Sequence, residues 1–439
     1  MNLVYGVNDK PKFGQMLVFA FQQILAILAA TIAVPSIIGN GMSQAAALFG
    51  AGIGTIVYQL FTKFKSPVFL GSSFAFIGSM FAAFGGAASA AAGYAGLIIG
   101  AGFAGLVYVI IALVVKVAGV NWINKLMPPV VIGPTVAIIG LSLAGNAVGD
   151  LTTGRVAGCS PYVALICGLV TLFAVIFFSV YGKKMAKLIP FILGILAGYV
   201  VAAIFTAIGI ATGNAALQVI DFSVFANMGI VSLPDFTFMM AAKGLSDIDG
   251  AFIATVAVAY VPVAFVVFAE HIADHKNLST IIGSDLLENP GLHNTLLGDG
   301  IGSFVGAFFG GCPNTTYGES VGCVAITRNA SVATITTTAI LCMLISFFDP
   351  FVTFLASIPN CVMGGVCITL YGFIAVSGLK MIQQVNLSAS KNLFVAAVIL
   401  ICGIGGLSLT FGKVTLTSIA CALILGILVN VMVSKAKED

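Results

Sequence analysis

Charge is what this chain has least of. Only 8% of its 439 residues are Asp, Glu, Lys or Arg, against roughly 25% in a soluble domain. With a mean hydropathy of +1.14, that scarcity excludes an ordinary soluble fold. The net charge is only +3, which excludes the basic surface that nucleic acid requires. Histidine is nearly missing, with three residues, and the nine cysteines form no CxxC pair. Neither a zinc site nor a disulfide framework follows, and the cysteines read as small core fillers in apolar runs. Strict apolar–polar alternation is absent too, and the apolar runs are far longer than about ten residues, which excludes a transmembrane β-barrel. No small-residue cleavage site follows the first apolar run, so that run reads as a first spanning helix rather than a removable leader.

What is present is apolar sequence of membrane-spanning length, repeated from end to end. A window of about 20 residues gives fourteen segments: 14–38, 43–62, 67–84, 90–117, 126–148, 161–181, 188–211, 250–272, 293–311, 313–327, 331–356, 359–382, 392–411 and 414–434. Segments 3 and 10 are short and interrupted by small or polar residues. If the N-terminus is cytoplasmic, all of the 18 Lys and Arg lie on the cytoplasmic side except Arg155, Lys243 and Lys413. A wrong count of spans would scramble that bias, so it predicts the number, the orientation and cytoplasmic termini together. The outer loop 212–249 carries Asp221, Asp235, Asp247 and Asp249 instead. Fifty-one glycines suit close helix packing in a membrane.

Fourteen divides into seven and seven, and an odd number per half sends the second half through the membrane the other way up. Segments 3 and 10 are then equivalent members of two inverted repeats, the arrangement that points to a binding site between them. Gln22 and Gln23 interrupt segment 1, and Glu270 and His271 interrupt segment 8.

Two carboxylates stand out. Glu270 ends the run AFIATVAVAYVPVAFVVFAE, and Glu319 lies in CPNTTYGESVGCVAIT. Neither has a basic residue near it in its segment. An ionisable group at membrane depth is costly and usually faces a cavity, where it works. In segment 10, Pro313 lacks a donor, Gly318 and Gly322 are flexible, and Asn314, Thr315 and Thr316 compete for backbone hydrogen bonds. Segment 3 has a comparable break at Gly71-Ser72-Ser73-Phe74. The backbone freed there must face protein, water or substrate. Helices resuming after the breaks turn their positive N-terminal ends on the site. EHIADH places His271 and His275 four residues apart, but there is no HExxH order and no third ligand, so no metal site is assigned. His275 is expected at the cytoplasmic helix end, Trp122 as an interface anchor.

GSSFAFIG, AEHIADH, NPGLH, PNTTYGES-VG-VAITR and VMGGV-x4-YG, in that order, resemble the nucleobase–ascorbate transporters, most closely the bacterial uracil permeases. The resemblance runs from Gln15 to the C-terminus. It implies an all-α polytopic fold of two inverted seven-segment repeats, with short antiparallel strands in segments 3 and 10. It implies a core domain (1–117 and 250–356) and a gate domain (118–249 and 357–439). It also implies uracil uptake by proton symport across the cytoplasmic membrane, no cofactor besides the coupling proton, no enzymatic step, and a homodimer in lipid. Carried over residue by residue, Glu270 and Glu319 contact the ring. Phe74 and Ser73 lie at the segment 3 break, with Phe74 acting partly through its N–H. Tyr317 and Gly318 flank the acid, and Tyr371 is a gate tyrosine near the site. Glu270, Asp274 and Asp299 are the candidates for proton coupling. Glu at 319 favours uracil, since purine carriers of the family tend to have Gln there. A xanthine or purine permease, and an anion exchanger or channel on the same fold, are the alternatives.

Three positions depart from the family pattern. Ser320 replaces the usual Asn after the site acid. Asp274 stands where the best-studied members have His, on the same helix face as Glu270. Gln23 stands where many members have His.

Overall fold

In hydrocarbon each backbone donor must be satisfied inside its own segment, so long apolar runs become helices. A computed structural model describes residues 3–119, 128–183, 185–226, 228–411 and 414–434; Trp122 lies outside them. Eight described helices are long and apolar enough to cross a membrane unaided. They are segment 1 (Phe13–Ile38), 2 (Gln44–Phe61), 4 (Ala90–Ala118), 5 (Pro129–Asp150), 6 (Pro161–Tyr181), 7 (Pro190–Thr212), 8 (Gly250–Ile282) and 12 (Asn360–Ile382). Segments 9 (Leu292–Gly310), 11 (Val332–Ile345), 13 (Ser390–Ile404) and 14 (Ser418–Val433) are shorter or less apolar helices. Segments 3 and 10 are each half strand, half helix. Strand β1 (Leu70–Ser72) leads through a 3-10 turn at Phe74–Phe76 into the helix Ile77–Gly85, and strand β2 (Asn314–Thr316) leads into the helix Gly318–Thr327.

Segment 11 ends earlier than the apolar run that encodes it. Its helix stops at Ile345, and a separate helix spans Asp349–Ser357. Pro350 sits in the first turn of that second helix, where its missing N–H does no harm. The linker between them pairs with the long outer loop: Ser232 N–H donates to Phe347 O and Asp349 N–H to Ile230 O. A hairpin, β3 (Leu409–Phe411) and β4 (Val414–Leu416), joins segments 13 and 14. The apolar run reads as one span through 411, but its helix stops at Ile404.

The packing has the symmetry of an inverted repeat. Segments 2 and 9, 5 and 12, and 3 and 10 pack on their own equivalents. Several other neighbours come in matched sets: 9 with 4 and 2 with 11, 8 with 4 and 1 with 11, 12 with 6 and 5 with 13, 6 with 7 and 13 with 14. Each set exchanges under a shift of seven segments, as two repeats related by a two-fold axis require. Backbones meet closely where segments 2 and 9 cross. A Cβ on Gly50 would lie 2.4 Å from Gly306 O, so only glycine allows that approach.

Candidate functional site

The site is built where β1 and β2 meet. They run antiparallel, with Leu70 opposite Thr316, Gly71 opposite Thr315 and Ser72 opposite Asn314. The ladder extends by one bond at each end: Ser73 N–H donates to Pro313 O at 2.9 Å and Tyr317 N–H to Phe69 O at 3.2 Å. Side chains tie the ribbon to segment 2. Thr55 Oγ1 accepts from Leu70 N–H at 2.9 Å, and Asn314 Nδ2 donates to Gly50 O at 3.1 Å. A two-strand ribbon inside a membrane protein is tolerated where its edges meet protein groups or line a cavity. Gly71 is required at its position, since a Cβ there would fall 2.3 Å from the Tyr317 ring. That ring is pinned by its hydroxyl, which donates to Ser72 O at 2.9 Å.

Both chains turn helical directly after the ribbon, so two half-helices begin side by side. Their first N–H groups have no intrahelical acceptor, and each carries the positive end of a helix dipole. A cavity of about 440 Å³ opens onto both starts. Ser73, Phe74 and Ala75 line it from segment 3, and Thr315, Thr316, Tyr317, Gly318 and Glu319 from segment 10. Segment 8 supplies Glu270, Ala273 and Asp274. Glu270 is exposed into this space, while Asp274 and Glu319 are half-buried. The Thr316 hydroxyl donates to Asp274 Oδ2 at 2.7 Å, tying segment 8 to the ribbon. Ser73 Oγ and Thr315 Oγ1 are buried without a partner among the described residues. The opposite wall is apolar, with Val136, Ile139, Phe191, Leu370, Phe373 and Ile374 among its residues, together with Ser377 and Met381. No Lys or Arg is among the described residues lining the cavity. Phe191 and Met381 also line the space, near Lys187 just ahead of segment 7 and Lys380 in the last turn of segment 12.

The structure therefore brings Ser73, Phe74, Glu270, Asp274, Tyr317, Gly318 and Glu319 to one cavity. Two residues assigned with them stand behind it. Tyr371 does not line the cavity. It backs Phe74 edge-on, with ring centroids 6.1 Å apart. Asp299 is 1% exposed and its Oδ2 lies 2.6 Å from His271 Nδ1, on the side of segment 8 that faces segment 9. His271 Nε2 meets Thr295 Oγ1 at 3.0 Å. His275 is not the exposed cation at a helix end that its position suggested. The helix continues to Ile282, and His275 is 1% exposed. Its Nδ1–H donates to His271 O at 2.8 Å, which leaves Nε2 to accept from the Tyr58 hydroxyl at 2.6 Å.

Two of the departures from the family pattern belong together. Gln23 Nε2 donates to Ser320 Oγ, and Ser320 Oγ also accepts from Phe69 N–H at 3.0 Å. Ser320 thus joins segments 1, 3 and 10 behind the ribbon and does not line the cavity. The longer side chain at position 23 meets the shorter one at 320. Thr315 and Thr316 were visible in the sequence only as helix-breaking residues. The apolar wall opposite the ribbon gave no signal, because apolar residues facing a cavity look like those facing lipid.

Residues 14–412 match the model of the Permease family. The chain is 38% identical over 432 residues to the uracil permease of Bacillus caldolyticus, covering 98% of this chain and 94% of that one. It is 35% identical over 453 residues to the uracil permease of Bacillus subtilis, covering 99% and 96%. Among solved structures, the transmembrane domain of the cyanobacterial bicarbonate transporter BicA superposes with a TM-score of 0.64. That likeness is 17% identical and covers 97% of this chain and all of the other, and it concerns the fold alone. The chain belongs to the Permease family and is a multi-pass membrane transporter, not an enzyme.

Proposed function

We propose that this permease takes up uracil across the cytoplasmic membrane by proton symport. Uracil presents alternating N–H donors and C=O acceptors around its ring. A carboxylate suits the donors and backbone N–H groups suit the carbonyls. In this reading Glu319 accepts from the ring's amide edge, while the half-helix starts at Phe74 and Gly318 serve its carbonyls. Ser73 and Tyr317 complete that side, with Tyr371 holding Phe74. Glu270 hydrogen-bonds the ring and carries the coupling proton, with Asp274 and Asp299 as the nearby alternatives. A site with this pattern strongly rejects analogues that leave its buried groups unpaired. The observation that carries the reading is one cavity holding Glu270 and Glu319 beside two half-helix starts, in a chain similar over nearly its whole length to uracil permeases.

The moving parts are a core of residues 1–117 and 250–356 and a gate of 118–249 and 357–439. Their relative displacement alternates access around the site. With the lysine-rich ends in the cytoplasm, as the charge bias favours, the part of the cavity lined by Phe191 and Met381 lies toward the cytoplasm. The termini are then cytoplasmic, and the working unit is a homodimer in lipid. An anion exchanger would present a basic residue or neutral helix ends to its substrate, and the acids Glu270 and Glu319 beside these helix starts, in a wall without Lys or Arg, speak against one. The test is uptake of labelled uracil into vesicles with and without an imposed pH gradient, in competition with xanthine, chloride and bicarbonate. Gradient-dependent uptake blocked by unlabelled uracil alone is expected. No saturable uptake of uracil, uptake indifferent to the gradient, or stronger competition by xanthine or bicarbonate than by uracil would overturn the reading.

A further inference from the structure

The residues ahead of segment 1 are built into the core. Val4 N–H donates to Arg328 O at 2.8 Å, Ala330 N–H to Tyr5 O at 2.9 Å and Val332 N–H to Val7 O at 3.1 Å. Tyr5 pairs with Asn329 in a parallel bridge, and the Ser331 hydroxyl donates to Asp9 O. Residues 3–9 thus lie along the loop that leaves segment 10, through one bridge at Tyr5 and a turn at Val7 and Asn8. Tyr5 also fastens them to segment 1, through its hydroxyl to Gln15 Oε1 at 2.8 Å and its ring edge on Phe19. On the inner side, Leu3 and Val7 pack against the apolar cluster that contains Leu70, Val321 and Val324.

Those three residues belong to the site's own frame. Leu70 is in β1, and Val321 and Val324 lie on the ten-residue helix that begins at Gly318 and carries Glu319. A helix that short has little stability of its own. The ribbon holds its first turn. Its last residue passes into Arg328, which adopts the left-handed conformation at φ 56°, and from there the chain is held by residues 3–9.

We propose that residues 3–9 act as a brace that positions the Glu319 half-helix and so sets substrate affinity. The inference rests on the uracil reading only for its ligand. Tyr5, Val7 and Ser331 are positioning residues, since none of them lines the cavity.

The test compares Val7→Asn, Val7→Ile and a deletion of residues 3–9 in the purified full protein. Two quantities are read: the Kd for uracil, and hydrogen–deuterium exchange of the amides of Gly318–Thr327 without ligand. Val7→Asn and the deletion are expected to speed exchange in that helix but not in Leu292–Gly310, and to weaken uracil binding by about tenfold or more, which corresponds to about 1.4 kcal/mol. Val7→Ile keeps the apolar contact and should behave as the parent. Parent-like exchange in Val7→Asn and the deletion, or faster exchange with parent-like affinity, overturns the brace. If the parent itself does not bind uracil, the functional reading fails, and the exchange comparison alone decides whether the half-helix depends on this segment.

Discussion

Replacing Gly71 by alanine adds one carbon at the tightest point of the ribbon. That carbon would lie 2.3 Å from Tyr317 Cε2 and Cζ and 2.8 Å from its hydroxyl oxygen. Three routes of escape are closed or costly. The ring is 4% exposed, and moving it toward the cavity that Tyr317 helps line would take up binding space. Turning it breaks the bond from its hydroxyl to Ser72 O. Shifting the backbone at Gly71 breaks the pairing with Thr315. Overpacking of this kind costs about 1–3 kcal/mol, and a lost hydrogen bond adds about 1. The sum, about 2–4 kcal/mol, equals about 30- to 1000-fold if it falls on substrate affinity, at 1.4 kcal/mol per tenfold. Two measurements apply to the purified protein: the thermal unfolding midpoint without ligand, and a uracil binding titration. Tyr317→Leu removes the clashing atoms and should partly relieve Gly71→Ala. The paired variant should therefore cost at least about 1 kcal/mol less than the sum of the singles, as contacting residues do. Parent-like stability and affinity in Gly71→Ala, or strict additivity in the pair, would refute the claim that glycine is required by the Tyr317 ring.

Other outcomes follow from the site. Glu319→Ala should abolish uracil binding and Glu319→Gln should weaken it severely, because Gln still accepts but loses a charge-assisted bond about twice as strong as a neutral one; unchanged ligand-induced thermal stabilisation in Glu319→Ala would remove Glu319 from the site. Glu270→Gln should lose uptake driven by a pH gradient, retain some binding and make that binding less sensitive to pH. Accumulation by this variant against a uracil gradient, in response to protons, would transfer the coupling role to Asp274 or Asp299. In a background without native cysteines, cysteines placed at Lys276 and Asp235 should react with an impermeant reagent from opposite faces of the membrane, and labelling of both from one side would sink the fourteen-segment topology.

Much of the frame was legible because membrane physics acts on local sequence. A run of apolar residues at spanning length has few outcomes other than a helix, and the breaks at Gly71–Phe74 and Pro313–Gly318 are local failures of helix chemistry. The end of segment 11 was less legible. Residues 331–356 read as one apolar run, and the helix nonetheless stops at Ile345 because residues 347 and 349 pair with the distant loop at 230 and 232. Asp299 shows the same limit within the site. Its depth in segment 9 could be read from the run around it, but its partner, His271, is 28 positions away on another helix.

The sequence by itself determined a polytopic membrane chain of fourteen segments in two halves, with two carboxylates and two broken segments at matching places. Each follows from composition, run length or the residue type at one position, quantities that do not depend on what the chain folds against. Tertiary structure alone decided which of the assigned residues face the cavity. Glu270 looks into it, while His271, the next residue on the same helix, looks away toward Asp299, and Tyr371 is held back behind Phe74. It also decided that Ser320 serves Gln23 and Phe69 instead of the cavity, and that residues 3–9 support the helix bearing Glu319. The reason is physical: the facing of a helical side chain is fixed by packing with segments far away in sequence. An interior this apolar carries no periodic polar face by which the sequence could announce it.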